Sequence, residues 1–244
     1  MSQPGGVLAG QTVVVMGGSS GMGLATARLA HAEGAELILT ARNPDRLREA
    51  AGDLGASTVA FDSLDFDRLD RFFDELATPV DHIMVTGPGP YYAPLAEFDL
   101  EKGRRDVESH LWLQVQVARN AMSKVRPGGS LIFIGGTGGR RPAVGGTLIS
   151  ALTAALPALA RNLALEIAPV RVNVIAAGFV DTPLSASLLG EQLDERRAQL
   201  RKTLPIGRVV GSEDIAVLAI HLMANTAVTG ATYDIDGGQQ LVNA

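Results

Sequence analysis

The stretch "VVVMGGSSGMGLATARLA", residues 13–30, decides the fold. A run of valines leads through a glycine-rich turn into a segment of helical period. A chain that passes this tightly from strand to helix needs residues without a Cβ. The same lack of side chains lets an anion approach the backbone and the positive end of the helix. The turn consists of Gly17, Ser19, Ser20, Gly21, Met22 and Gly23, and it predicts a cradle for a pyrophosphate. Three glycines alone say little; the strand before them and the helix after them give the spacing its meaning.

Outward from this turn, the same alternation runs almost from end to end. "TVVVM", "ELILT", "STVAF", "HIMVT", "SLIFI", "VRVNVI" and "ATYDI" read as strands. Their near-continuous hydrophobicity is what a parallel sheet covered on both faces requires. Helical segments are expected at residues 21–33, 44–53, 65–77, 100–125, 143–167 and 212–224, with Pro157 removing one backbone hydrogen bond from the fifth. Strands alternating with helices predict an α/β fold, a Rossmann-like, doubly wound parallel sheet of about seven strands with helices on both faces. No repeat or linker divides the chain, so residues 1–244 are expected to form one domain. Residues 182–208 are charged and helical in pattern, and they follow a strand end where ligands bind in open sheets; they read as a substrate lid or as an ordinary solvated helix.

Composition narrows the function. The chain has 244 residues, 46% hydrophobic and 19% charged, which places it with globular domains and away from disorder. A net charge of −5, with no basic run interleaved with aromatics, argues against nucleic acid as a partner. Without cysteine there is no disulfide, no thiolate nucleophile and no cysteine metal site, and His31, His82 and His221 have no metal-ligand spacing. The N-terminal stretch lacks the pattern of a signal peptide, and no apolar run reaches the ~18 residues of a membrane span. The expectation is a cytoplasmic protein with no membrane partner and no metal.

The second strand ends in "LTARN". In dinucleotide folds an acid here binds the adenosine ribose of NAD, whereas an arginine accommodates the 2′-phosphate of NADP. This chain places Arg42 there and no acid, so the reading is NADP(H) in preference to NAD(H).

Taken in order, these residues resemble the short-chain dehydrogenase/reductase family over nearly the whole chain. The family's Thr-Gly-x-x-x-Gly-x-Gly is matched from Met16 to Gly23, with Met16 in place of Thr. By the same resemblance Asp62 in "AFDSLD" meets the adenine edge, and Gly87 in "TGPG" stands where the family has Asn-Asn-Ala-Gly. Gly178 and Thr182 in "RVNVIAAGFVDTPL" lead into the nicotinamide-side loop, with Ala177 replacing the customary Pro, and "YDIDGGQ" matches the C-terminal Asp-Gly-Gly signature. The resemblance also implies a homotetramer or homodimer assembled through the two long helices.

At the catalytic positions the resemblance breaks. The family's Ser falls on Gly136, its Tyr on Ile149, its Lys on Thr153 and its supporting Asn on His110. Counting back from "LALEIAP" gives the same two positions in the helix as counting forward from Gly136. In the family the Tyr hydroxyl moves the proton and the Lys lowers its pKa. Ile149 can do neither, and the hydroxyl of Thr153 carries no charge. Losing a positioned general acid costs about 10²–10⁴-fold in rate. Candidate replacements are His110, whose imidazole can relay protons, and Tyr91 or Tyr92 in "TGPGPYYAP". Against each stands a structural reading, a hydrogen-bonded buried histidine and aromatic packing in a proline-stiffened loop. Arg140 and Arg141 lie where a charged substrate would be met, or form a surface turn.

Three functions stay open. One is an atypical NADP(H)-dependent oxidoreductase acting on a small-molecule substrate. Another is a non-catalytic nucleotide binder or partner subunit. The third is a non-redox lyase or cyclase on the same fold.

Overall fold

In the computed structural model, which describes residues 5–242, one seven-stranded sheet organises the chain. In chain order its elements are β1 (Thr12–Met16), α1 (Gly21–Ala32), β2 (Glu36–Ala41), α2 (Pro44–Gly52), β3 (Ser57–Ala60), α3 (Phe66–Asp74) and β4 (Val80–Val85). There follow α4 (Leu100–Val107), α5 (Leu113–Lys124), β5 (Val125–Gly136), α6 (Thr147–Glu166) and β6 (Arg171–Ala177). The last third holds β7 (Val180–Asp181), α7 (Pro183–Leu189), α8 (Leu193–Thr203), β8 (Val210–Gly211), α9 (Ser212–Ala224) and β9 (Thr232–Ile235). The strand order is β3-β2-β1-β4-β5-β6-β9, all pairs parallel, while β7 and β8 form a small separate pair.

Each strand serves two cores, which is why its sequence is apolar at nearly every position. Val14 and Met16 of β1 pack on one face with Phe72 and Phe73 of α3, Val117 and Ala121 of α5, and Leu156 and Ala160 of α6. Val13 and Val15 point the other way, against Ala27 and Ala30 of α1, Leu47 of α2, and Ile215 and Ala219 of α9. Each aliphatic side chain so buried contributes about 1.5–3 kcal/mol. The strand order reverses between β1 and β4, and at such a switch point the carboxyl ends of the strands splay apart into a crevice.

Several boundaries differ from the expected ones. The helix expected over residues 100–125 is interrupted by a wider π turn, Glu108–Trp112, between α4 and α5. The strand read at "SLIFI" extends over Val125–Gly136, and "STVAF" stops at Ala60. The fifth helix starts at Thr147 and runs through Pro157 without a break. That helix, α6, is also apolar and long enough to cross a membrane, which the sequence had not suggested. Ile149, Leu152, Leu156, Ala160 and Leu163 are nevertheless buried, several of them in the core shared with α5 and β6. Its exposed side carries Ala151, Ala154, Ala155, Ala158 and Leu165 together with Arg161 and Asn162. The lid segment folds as α7 and α8 joined by a short 3₁₀ turn at Gly190–Gln192.

Two buried polar groups fasten the sheet. Arg171 at the start of β6 donates to the carbonyls of Gly128, Leu222, Met223, Asn225 and Val228, at 2.6 to 3.2 Å, and so ties the C-terminal end of α9 to the sheet. The end of a helix carries partial negative charge, which suits a guanidinium. His82 of β4 sits between the hydroxyl of Ser130 (2.9 Å) and the amide oxygen of Gln11 (2.6 Å). Burial, reinforced by the charge of Arg171, pushes its pKa down from 6.5 to about 4.

The folded state therefore holds His82 neutral where the unfolded chain takes up a proton. As pH falls through the window between the unfolded value of 6.5 and the folded value of about 4, the unfolded state binds more protons and stability is lost. The loss should reach about 3 kcal/mol at the acid end. Thermal melts across that window are expected to fall in the wild type, with a shallower slope in His82→Gln.

Candidate active site

The crevice at the switch point is built from backbone. Gly17 has φ +82, and a Cβ there would lie 2.1 Å from the hydroxyl oxygen of Thr86. At Gly23 a Cβ would lie 2.4 Å from the carbonyl oxygen of Gly17. Both positions therefore demand glycine. Thr86 completes the turn by donating its hydroxyl to the carbonyl of Met16 at 2.8 Å. Ser20 precedes α1 without capping it through its side chain, so the first N–H groups of that helix keep their capacity to bind an anion.

Beside this turn lies a cleft of about 880 Å³. It brings together ten of the eleven residues expected to hold a cofactor: Gly17, Ser19, Ser20, Gly21, Met22, Gly23, Arg42, Asp62, Gly87 and Thr182. Gly178, the eleventh, lines a second cavity instead. Arg46, from the first turn of α2, joins Arg42 in the cleft, a partner that sequence reading missed. Asn43 also lines the cleft, and its side-chain oxygen caps α2 by accepting from the backbone N–H groups of Asp45 and Arg46. One carboxylate oxygen of Asp62 accepts from the N–H of Leu64 at 3.1 Å, which orients the side chain at the cleft's edge.

The cleft's residues fit a dinucleotide on three observations: the side-chain-free cradle, the uncapped helix start, and the cations Arg42 and Arg46 at the end of β2. Gly17, Gly21 and Gly23 would hold the pyrophosphate, Asp62 the adenine edge, and Thr182 the far end.

The second cavity, of about 550 Å³, shares Met22, Gly87, Pro88, Pro90, Thr182 and Leu184 with the first. It gathers all four positions to which resemblance assigns catalytic groups, Gly136, Ile149, Thr153 and His110, from three separate elements. The hydroxyl of Thr153 points back at its own helix, 2.9 Å from the carbonyl of Ile149 and 3.1 Å from that of Ser150. Ile149 is buried among these groups.

The two tyrosines part company. Tyr91 lines the first cleft, stacks near Phe98 with ring centroids 5.3 Å apart, and its hydroxyl oxygen accepts from the N–H of Asp99 at 2.9 Å. Tyr92 lines the second cavity with His110. Burial, and then the negative charge of Asp106, raise the pKa of its hydroxyl, so it stays protonated at neutral pH.

His110 lies in the π turn. Its Nδ1 is 3.1 Å from a carboxylate oxygen of Asp106, 3.0 Å from the Asp106 carbonyl oxygen and 2.9 Å from the hydroxyl oxygen of Ser109. Ser109 donates its own proton to the Asp106 carbonyl at 3.0 Å, so all three neighbours are acceptors. Nδ1 therefore carries the ring's proton, and Nε2 is left with its lone pair and no partner among the described residues. The wide turn supports this arrangement: the carbonyl of Ser109 takes the amide of Gln114 at 3.3 Å, a side chain standing in for a displaced backbone donor. Asp106 is 97% buried, accepts also from the N–H of Tyr91, and leaves its other carboxylate oxygen without a partner. The sequence singled out His110 but not Asp106, although the two stand four residues apart on one helical face.

A family model described as enoyl-(acyl carrier protein) reductase matches residues 17–240. The bovine (Bos taurus) 3-oxoacyl-[acyl-carrier-protein] reductase is 32% identical, over 93% of this chain and 97% of its own. Among solved structures, the MalC reductase/Diels-Alderase of Malbranchea aurantiaca superposes with a TM-score of 0.89 at 25% identity, covering 97% of this chain and 98% of its own. BdcA in complex with NADPH gives a TM-score of 0.85 at 27% identity, with 95% of each chain covered. The chain belongs to the short-chain dehydrogenase/reductase family.

Proposed function

We propose that this chain is an NADP(H)-dependent oxidoreductase of that family in which His110, held by Asp106, moves the proton. The observation that carries the reading is the fixed tautomer of His110. Its Nδ1 is bound by a buried carboxylate, its Nε2 has no partner among the described residues, and the residue lines the cavity that holds Gly136, Ile149 and Thr153. When bound in the neighbouring cleft, NADPH supplies a hydride to a carbonyl carbon. The chain's part is to deliver a proton to the carbonyl oxygen. Protonated at Nε2, His110 donates it, with its ring held in place through Nδ1 by Asp106; neutral His110 accepts it in the reverse direction. Tyr92 is a weaker candidate, because a phenol whose pKa is raised parts with its proton reluctantly. Thr153 is committed to its own helix.

The cofactor preference rests on Arg42 and Arg46, which offer two guanidiniums to a 2′-phosphate, with no acid at residues 41–43 where β2 ends. The NADPH bound to BdcA supports the same choice.

One observation favours a second reading. Gly136 and Ile149 leave an apolar wall where resemblance expects hydroxyls, and MalC, named as both a reductase and a Diels-Alderase, has the same fold. A non-redox reaction in the same cavity would need shape and a single polar group more than an acid.

Two outcomes are expected. In an assay of NADPH oxidation across ketones and aldehydes, His110→Ala should lower kcat by about 10²–10⁴-fold. Asp106→Asn should lower it less, and NADPH affinity should be unchanged in His110→Ala, whose side chain lies outside the cofactor cleft. Turnover unaffected by His110→Ala would remove the proposed relay. Turnover that consumes no NADPH would favour the second reading. Separately, the double variant Arg42→Ala, Arg46→Ala should reduce the preference for NADPH over NADH by about tenfold or more, read by fluorescence titration. An unchanged ratio would place the 2′-phosphate elsewhere.

A further inference from the structure

We propose that the second cavity binds a substrate bearing a carboxylate on an apolar body, and that Arg196 of the lid, helped by the positive field of Arg141, holds that carboxylate. The inference rests on the oxidoreductase reading of this cavity and adds the class of its substrate.

The cavity's lining is unusual in its charge. Among the described residues it contains no aspartate or glutamate, and the permanently charged residues there are Arg141 and Arg196. The remainder is largely apolar, with Ile149, Phe179, Leu184 and Leu188 among the larger side chains. The two arginines come from unconnected parts of the chain. Arg141 follows the short turn after β5, and Arg196 sits on α8.

Neighbouring arginines show what this fold does with a guanidinium that has no ligand to meet. Arg140 is bridged to Asp234, Arg197 to both Asp181 and Asp194, and Arg208 to Asp214. Arg196 has no such partner among the described residues; it makes a 2.7 Å hydrogen bond to the neutral side-chain oxygen of Gln199. Arg141 donates to the carbonyl of Gln239 at 2.8 Å. Burial first, and then the like charge of Arg141, disfavour the charged form of Arg196 and lower its pKa. A guanidinium stays protonated regardless, so Arg196, with no carboxylate beside it among the described residues, is unfavourably placed at an apolar wall until an anion enters. A carboxylate matches the guanidinium fork in shape and charge.

The placement of Arg196 on the lid gives the contact a second consequence. A carboxylate held by Arg196 draws α8 toward a substrate whose reacting end lies in the same cavity as His110. An uncharged analogue offers nothing for that contact.

The test uses two ketones of nearly equal size, benzoylpropionate and its neutral amide, benzoylpropionamide. Each is titrated calorimetrically into the full chain with NADPH present, and NADPH absorbance is followed in the same mixtures. The acid should bind about tenfold tighter than the amide. Arg196→Gln should erase the difference, and Arg196→Lys should keep part of it; thermal melting verifies that both variants are folded. Equal affinities, binding of neither compound, or an undiminished preference in Arg196→Gln overturns the proposal. Preference for the acid without NADPH consumption upholds the anion site while removing the oxidoreductase reading. NADPH consumption with both ketones alike and no preference does the reverse.

Discussion

At the end of β4, Thr86 donates both its backbone N–H and its hydroxyl to the carbonyl of Met16, the last residue of β1, at 3.0 and 2.8 Å. Around this small contact the rest of the site is arranged. The Thr86 hydroxyl occupies the space that a Cβ on residue 17 would need, and the carbonyl of Gly17 occupies the space that one on residue 23 would need. Two strand ends and a helix start can meet only because nothing projects between them. The backbone N–H groups of α1 are consequently bare at the floor of the crevice, where the strand order reverses. Stability and ligand capacity here have one origin, the close approach of backbones.

The wall of the second cavity follows a different logic. Resemblance places the chemistry on α6, but that helix offers Ile149 and a Thr153 whose hydroxyl is turned inward. The group equipped to move protons comes from the break between α4 and α5. There a π turn frees carbonyls that Ser109 and Gln114 satisfy with side chains, and the imidazole of His110 is locked between acceptors. A buried carboxylate is tolerable at Asp106 only with donors close by, and the Nδ1–H of His110 and the N–H of Tyr91 provide them. The proposed proton path thus depends on local helix geometry as much as on residue type.

Much of this was legible in the sequence, for physical reasons. A Cβ that cannot be accommodated leaves its trace as glycine, so the cradle of residues 17–23 could be read directly. Strands buried on two faces must be apolar throughout, so all seven were found, although β5 proved longer and β3 shorter than the pattern indicated. The π turn was not legible, because each residue in "ESHLW" is compatible with a helix and the break depends on where side chains find carbonyls. Asp106 was overlooked because a carboxylate on a charged helix normally faces water, and only packing against the Tyr91 loop buries it. Arg196 lay hidden in "DERRAQLRK" for the same reason: Arg196 and Arg197 are neighbours of identical type, yet one bridges two aspartates and the other faces a cavity.

The central claim is that the crevice between β1 and β4 is a working cofactor site whose second wall carries the chemistry. Hydrogen–deuterium exchange of the purified chain, with and without NADPH, tests it most directly. The account predicts slower exchange together in residues 17–23, 86–91 and 182–188, three of the backbone segments that bound the cleft. Exchange unchanged in all three, or protection confined to other segments, would contradict it.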